Sequence, residues 1–308
     1  MFEIFLGRRR RRFIRENAGM TADTSIYSLP KVDCHCHILD PTRFAYGDEV
    51  PYRPAGQETG SAGYFAQVLD AYNAHHALLV EPNSGYGADN RCLLDAIANG
   101  RGRFKGIAVV ANDAPRSELE DLKAQGIVGI AFNVSLYGRT HYANIGPLLE
   151  RLAALQMFAN VQVQDDQLCA FVPMLESAGV QVLIDHGGRP DVARGLNAPG
   201  FSALLEMAAN SRTYVKISGF SKFSKEDFPF ADTQPFVAAL LQAFGPDHCL
   251  WASDWPFLRA ASRQDYGPLL LRFAANVPDA ASREKILWQT PMRLFNFQTT
   301  ATPSPDPQ

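Results

Sequence analysis

Short, nearly continuous apolar runs alternate with amphipathic stretches from Lys31 to Phe297. Eight of these runs read as strands: Lys31–His37, Ala77–Pro82, Lys105–Val110, Val128–Val134, Ala159–Gln164, Gln181–His186, Tyr214–Ser218 and Cys249–Asp254. Continuous apolarity suits parallel strands covered on both faces, where the alternation of a half-exposed strand is absent. The stretches between them carry helical spacing, as in Tyr64–His75, Asn90–Asn99, Glu118–Gln125, Phe201–Ala209 and Pro235–Phe244. Ser117-x-x-Glu120 reads as a capping box opening one of them. Eight strand–helix repeats in about 270 residues predict an α/β fold, a single-domain (β/α)8 TIM barrel over residues 31–297. A doubly wound sheet fits less well, because its first strand usually runs into a glycine-rich phosphate turn. Here the first strand ends in histidines.

Composition adds bounds. The 308 residues are 46% hydrophobic and 20% charged, as in soluble globular chains. No run approaches the roughly 18 apolar residues of a membrane span. The formal charge of −3 is uneven, since residues 1–19 hold six Arg against two Glu and leave −7 on the rest. An acidic body argues against a nucleic-acid surface. Arg8–Arg12 loosely matches a twin-arginine export signal, but Glu16-Asn17-Ala18-Gly19 is no apolar h-region. Residues 1–30 are therefore expected to be a disordered or extended tail, with Met20 a candidate start, and 298–308 a disordered Pro-rich tail. Five cysteines form no disulfide framework and point to a reducing, cytoplasmic setting. Cys34 and Cys36 alternate with the histidines and are expected to pack against helices. A homo-oligomer is compatible with all of this.

In such a barrel the chemistry sits at the C-terminal ends of the strands. The first strand brings His35 and His37, which share a side because they are two residues apart. The sixth ends Asp185-His186-Gly187-Gly188-Arg189, and the eighth ends Ser253-Asp254-Trp255-Pro256. Three imidazoles and the Asp254 carboxylate thus converge on one mouth. The structural alternatives are a core histidine at His186 and a turn-capping carboxylate at Asp254. Asp185 alternates away from His186 and reads as a structural anion. Arg189 follows two glycines, and its guanidinium suits a carboxylate ligand. His75, His76, His141 and His248 fall in predicted helices or loops and are given no role. The long connection Ile38–Gly63, with Tyr46 and Tyr52, reads as a lid.

The motifs VDCHCH, EPNSGYGADNR, DHGGRPDV and WASDWP, in that order over residues 31–297, resemble the amidohydrolase superfamily. More narrowly, they resemble its branch of 2-pyrone-4,6-dicarboxylate lactonases and sugar-lactone hydrolases. That resemblance implies hydrolysis of a small lactone, with Asp254 activating water and His186, His35 and His37 polarising the carbonyl. Arg189, Arg91, Arg139, Tyr46, Tyr52, Asn133 and Lys222 are the candidate substrate-binding residues. Two departures stand out. The fifth strand, Asn160-Val161-Gln162-Val163-Gln164, has no histidine, and the fourth offers no bridging Lys or Glu. No metal is therefore expected to be required; a bound Zn²⁺ would fall to His35, His37, His186 and Asp254. In addition, Ala131 stands where the pyrone lactonases carry arginine, and Lys222 where arginine is expected, so a less anionic lactone is as good a candidate. A metal-dependent amidohydrolase-type decarboxylase, or another metal-dependent hydrolase, is the alternative reading.

Overall fold

The computed structural model describes residues 23–298. Eight parallel strands follow one another in chain order around a single sheet. They are β1 Lys31–Cys36, β2 Ala74–Val80, β3 Phe104–Ala108, β4 Ile127–Asn133, β5 Phe158–Gln162, β6 Gln181–Ile184, β7 Thr213–Ile217 and β8 Cys249–Trp251. One principal helix follows each strand: α1 Ala62–Ala71, α2 Arg91–Asn99, α3 Arg116–Ala124, α4 Gly146–Ala154, α5 Val172–Ala178, α6 Pro199–Glu206, α7 Gln234–Phe244 and α8 Tyr266–Asn276. The expected (β/α)8 barrel is the observed fold. Among the described residues, no helix is long and apolar enough to cross a membrane.

The helices bury narrow apolar stripes. In α4 these are Leu148, Leu149 and Leu152, the i, i+1, i+4 spacing of one helical face. Each such leucine contributes roughly 1.5–3 kcal/mol on burial. Capping at α3 differs from expectation. The helix starts at Arg116 behind Pro115, with no side-chain cap, so Ser117 already lies inside the first turn. Proline's fixed φ starts the helix earlier than the serine would.

Inside the barrel, Val32, Cys34, Leu78, Val80, Ile107, Phe158, Leu183, Tyr214 and Leu250 form one cluster. Phe295 and Phe297, behind the C-terminal helical turns, close the cluster at the end opposite the site. His76 stacks on Phe297 there, 4.5 Å between centroids. His75 and His76 are thus strand residues of β2, which begins earlier than its apolar run suggests. Cys34 also departs from expectation. Asp33 pairs with Ala77 and Cys36 with Leu79, so β1 sets three residues against two. Cys34 faces inward with Val32, two residues before it, and this one-residue bulge then brings His35 inward as well, while Cys36 packs in the outer cluster.

The last gap, between β8 and β1, closes through the site itself. His37 N donates to Trp255 O (2.8 Å), and Asp254 N donates to His35 O (2.9 Å). Packed structure begins before β1, since Ile26 in the turn Thr24–Tyr27 is fully buried. The turn Thr24–Tyr27, expected to lie in the tail, is therefore part of the packed structure. The Arg8–Arg12 run, Met20 and all of the C-terminal tail beyond Gln298 lie outside the described residues.

The 38–63 connection is tied at its base by paired bonds between Leu39 and Gly60 (Leu39 N to Gly60 O 3.1 Å, Gly60 N to Leu39 O 2.9 Å). A Cβ on Gly60 would meet the Trp255 ring at 2.0 Å, and that ring is stacked on Phe65. Gly60→Val should therefore cost about 1–3 kcal/mol by overpacking. Urea unfolding monitored by fluorescence checks this, and an unchanged midpoint would contradict it.

Candidate active site

The turn after β6 runs through four consecutive left-handed residues: His186 (φ 52°), Gly187 (60°), Gly188 (77°) and Arg189 (45°). Such a conformation is strained for the two non-glycine members. It brings the adjacent side chains of Asp185 and His186 to the same side, where strand alternation would have separated them. Gly219 makes room, since a Cβ there would lie 2.4 Å from His186 Nδ1. His186 Nδ1 in turn lies 3.0 Å from Ser218 Oγ.

Asp254 is the hub. Its Oδ1 lies 3.8 Å from His35 Nε2, 3.6 Å from His37 Nε2 and 3.7 Å from His186 Nε2. Its Oδ2 lies 3.2 Å from Lys222 Nζ. His37 Nδ1 donates to Val80 O (2.8 Å), which fixes the ring with Nε2 facing Asp254. His35 Nε2 is buried without a hydrogen-bond partner. Beneath the hub lies a fully buried polar layer. Asp185 Oδ1 is 3.1 Å from His35 Nδ1 and 2.9 Å from Lys216 Nζ. Asn160 Nδ2 donates to Asp185 Oδ2 (2.7 Å), and Lys216 Nζ donates to Asn160 Oδ1 (2.6 Å).

Burial sets the protonation states. It pushes the His186 pKa down to about 3 and lowers that of His35 despite Asp185 beside it. Burial would raise both carboxyls, but neighbouring cationic groups outweigh it. Lys222 in particular holds Asp254 well below the carboxylate range, and His35 and Lys216 do the same for Asp185. The site is thus two ionised carboxylates, each beside a lysine, with the neutral imidazoles of His35 and His186 between them.

That donor set fits a divalent cation. The Nε2 atoms of His35, His37 and His186 all lie within 3.8 Å of Asp254 Oδ1, and His35 Nε2 has no hydrogen-bond partner. Tetrahedral Zn²⁺ with bonds of about 2.0–2.1 Å places its ligand atoms about 3.3 Å apart, close to the separations here. His35, His186 and Asp254 bring their ligand atoms within 4.8 Å of one another.

A cavity of about 430 Å³ opens above the hub, and its walls include Tyr52, Asn133, Arg189, Lys222 and Arg259. Arg189 leans on Ser135 Oγ (3.2 Å) and Gln164 Oε1 (3.5 Å), and its Nε is buried without a partner. The structure does not bring every candidate there. Arg91 is forked onto Asp89 and exposed, because its helix starts there and points the side chain to solvent. Arg139 is exposed beside a short helical turn and lines none of the cavity. Tyr46 packs on Tyr86 and donates to Pro54 O (2.9 Å), bracing the lid from behind. Tyr52 reaches the cavity and donates to Glu58. Asn133 caps the one-turn helix that follows β4. Lys216, Asn160, Ser218 and Arg259 were not among the expected site residues. A single lysine inside the apolar run Tyr214–Ile217, at an inward position, is the signal that would have found the first.

A family model described as "Amidohydrolase" matches residues 32–297. The chain belongs to this amidohydrolase family. The amidohydrolase is 31% identical over 281 residues to a 4-sulfomuconolactone hydrolase of Rhizobium radiobacter, covering 87% of this chain and 91% of that protein. It is 28% identical over 286 residues to a 2-pyrone-4,6-dicarboxylate hydrolase of Comamonas testosteroni, covering 87% and 92%. A solved structure of a probable 2-pyrone-4,6-dicarboxylic acid hydrolase from Acinetobacter baumannii, with citric acid bound, superposes with a TM-score of 0.77 at 28% identity, over 87% of this chain and 99% of that one.

A histidine held neutral by burial makes stability depend on pH. The unfolded amidohydrolase protonates His186 near its ordinary value of 6.5, whereas the folded one resists to about 3. The unfolded state therefore binds more protons as pH falls below about 6.5, and stability drops toward pH 3. Urea unfolding between pH 4.5 and 7 should show this slope, and it should be shallower in His186→Asn.

Proposed function

We propose that this amidohydrolase opens a small anionic lactone by adding water to its carbonyl carbon. The observation that carries the reading is the Asp254 carboxylate, ringed by three imidazoles at the floor of a cavity whose wall holds guanidinium groups with no carboxylate partner. Arg189, with Arg259 near it, suits a carboxylate or sulfonate on the substrate. The named activities of the two curated relatives, and the citric acid held by the structural relative, agree with an anionic cyclic ester.

In this mechanism Asp254 accepts a hydrogen bond from the attacking water and takes its proton as the carbon–oxygen bond forms. Lys222 keeps Asp254 ionised until then and steadies its second oxygen. Ser218 can donate to His186 Nδ1, which leaves the proton on Nε2 to stabilise the oxyanion. When the tetrahedral intermediate collapses, the ring C–O bond breaks and the leaving oxygen recovers the proton from Asp254. The product is a ring-opened acid. Tyr52 and Asn133 border the substrate, and the lid excludes water. A divalent cation held by His35, His37, His186 and Asp254 would supply Lewis-acid polarisation of the carbonyl in place of the His186 Nε2 proton.

Purified protein should consume base in a pH-stat with anionic lactones such as pyrone dicarboxylate, muconolactone and aldonolactone types. Asp254→Asn should lower kcat by about 10²–10⁴. Full activity in that variant would remove Asp254 from its role. Carbon dioxide release without ring opening would favour a decarboxylase instead. Arg189→Ala should raise KM by about tenfold or more with kcat little changed, as loss of a charged hydrogen bond of roughly 1.5–3 kcal/mol implies. Arg91→Ala should change neither constant.

A further inference from the structure

We infer that Lys216 and Asn160 form a positioning unit that acts through Asp185 to hold His35 in one tautomer, with its Nδ1 protonated and its Nε2 lone pair aimed at the reaction centre. The four side chains come from four strands: His35 from β1, Asn160 from β5, Asp185 from the end of β6 and Lys216 from β7. All are at most 1% exposed. With so little exposed surface, the layer's polar groups find most of their hydrogen-bond partners among themselves.

These bonds close in one way. Lys216 donates to Asn160 Oδ1 at 2.6 Å and meets Asp185 Oδ1 at 2.9 Å. Asn160 returns its amide hydrogens to Asp185 Oδ2 at 2.7 Å. Its oxygen is occupied by the lysine, so the amide orientation is fixed. Asp185 is thereby held at both oxygens. His35 Nδ1 then faces a carboxylate oxygen at 3.1 Å and the ammonium at 3.2 Å. An unprotonated Nδ1 would set two lone pairs against each other at the shorter of these contacts. A proton on Nδ1 makes that contact a charge-assisted hydrogen bond. The cost falls on the lysine contact, which is the longest of the lysine's three and has two shorter ones to replace it.

The position of the ring follows from the same bonds. The β1 bulge brings His35 inward beside Cys34, so backbone geometry alone does not orient the imidazole. The polar layer does, and Nε2 ends buried, unpartnered and 3.8 Å from Asp254 Oδ1. Lys216 touches neither the cavity nor the reacting atoms. Its effect on the reaction is exerted through His35.

A merely structural ion pair makes a different prediction. Removing one partner of a buried pair destabilises a protein strongly, whereas replacing both is often neutral for stability. The test is the charge-neutral double variant Lys216→Met/Asp185→Asn, with Asn160→Ala as a milder companion that leaves both charges in place. Three properties are read on full-length protein: thermal midpoint, kcat and KM on the lactone, and the His35 tautomer. The tautomer comes from long-range ¹H–¹⁵N spectra of ¹⁵N-histidine-labelled protein, with His35 assigned by a His35→Gln variant.

Wild-type His35 should show a protonated Nδ1. The double variant should keep a near-native midpoint, lose the single tautomer, and lose about 10–100-fold in kcat with KM within about twofold, the range expected for groups that orient a site imidazole. Asn160→Ala should shift tautomer and kcat the same way by less, and it decides the question if the double variant does not fold. Retention of both the Nδ1 proton and kcat in the variants overturns the inference, as does a protonated Nε2 in the wild type. The kinetic arm rests on the hydrolytic reading and the tautomer arm does not. A wild-type protein that opens no lactone therefore fails that reading alone, and the tautomer result still decides this one.

Discussion

The closure of β1 against the end of β8 is the constraint on which the site depends. Seven of the eight strand interfaces are parallel ladders, and the eighth is made by the backbones of His35, His37, Asp254 and Trp255. Barrel closure and active-site assembly are therefore one event. The hydrogen bonds that stop the sheet from ending in open edges also place two imidazoles beside the carboxylate they serve. Strand edges left unpaired at this point would cost both stability and geometry.

Electrostatics follow from that closure. Packing three histidines and two aspartates into the mouth of a barrel removes their water, and the arrangement survives because each carboxylate has a lysine within 3.2 Å. Burial drives His35 and His186 neutral despite the carboxylates beside them. Neutral imidazoles offer lone pairs, which suits them to a cation or a proton in transit. The lysines differ in what they face: Lys222 borders the cavity, while Lys216 is sealed beneath it.

Local strain does the rest of the positioning. The left-handed run from His186 to Arg189 overrides strand alternation and brings Asp185, His186 and Arg189 to one space, while Gly219 supplies the gap for the His186 ring. The lid adds Tyr52 to the wall. Tyr46 lies behind it, where it supports the loop rather than the substrate.

Much of this was legible in the chain. The apolar runs, their number and their continuous character determine a (β/α)8 barrel, because parallel strands covered on both faces need no polar side. The end-of-strand rule then brings His35, His37, His186 and Asp254 together without any coordinates. What the sequence did not carry were features created by contact between distant segments. A period-2 reading sent Cys34 outward and Asp185 away from His186, and it failed at both because a bulge and a left-handed turn break the alternation. Arg91 and Arg139 matched a chemical expectation but sit where helix and turn geometry point them to solvent. Lys216 and Asn160 were lost inside apolar runs, since a buried lysine is intelligible only beside its partners. Sequence determines which residues share a face or a strand end, because those depend on local repeat alone. Only the tertiary structure decides which charges are paired and which lone pairs are left open, because pairing is settled by groups brought together from across the barrel.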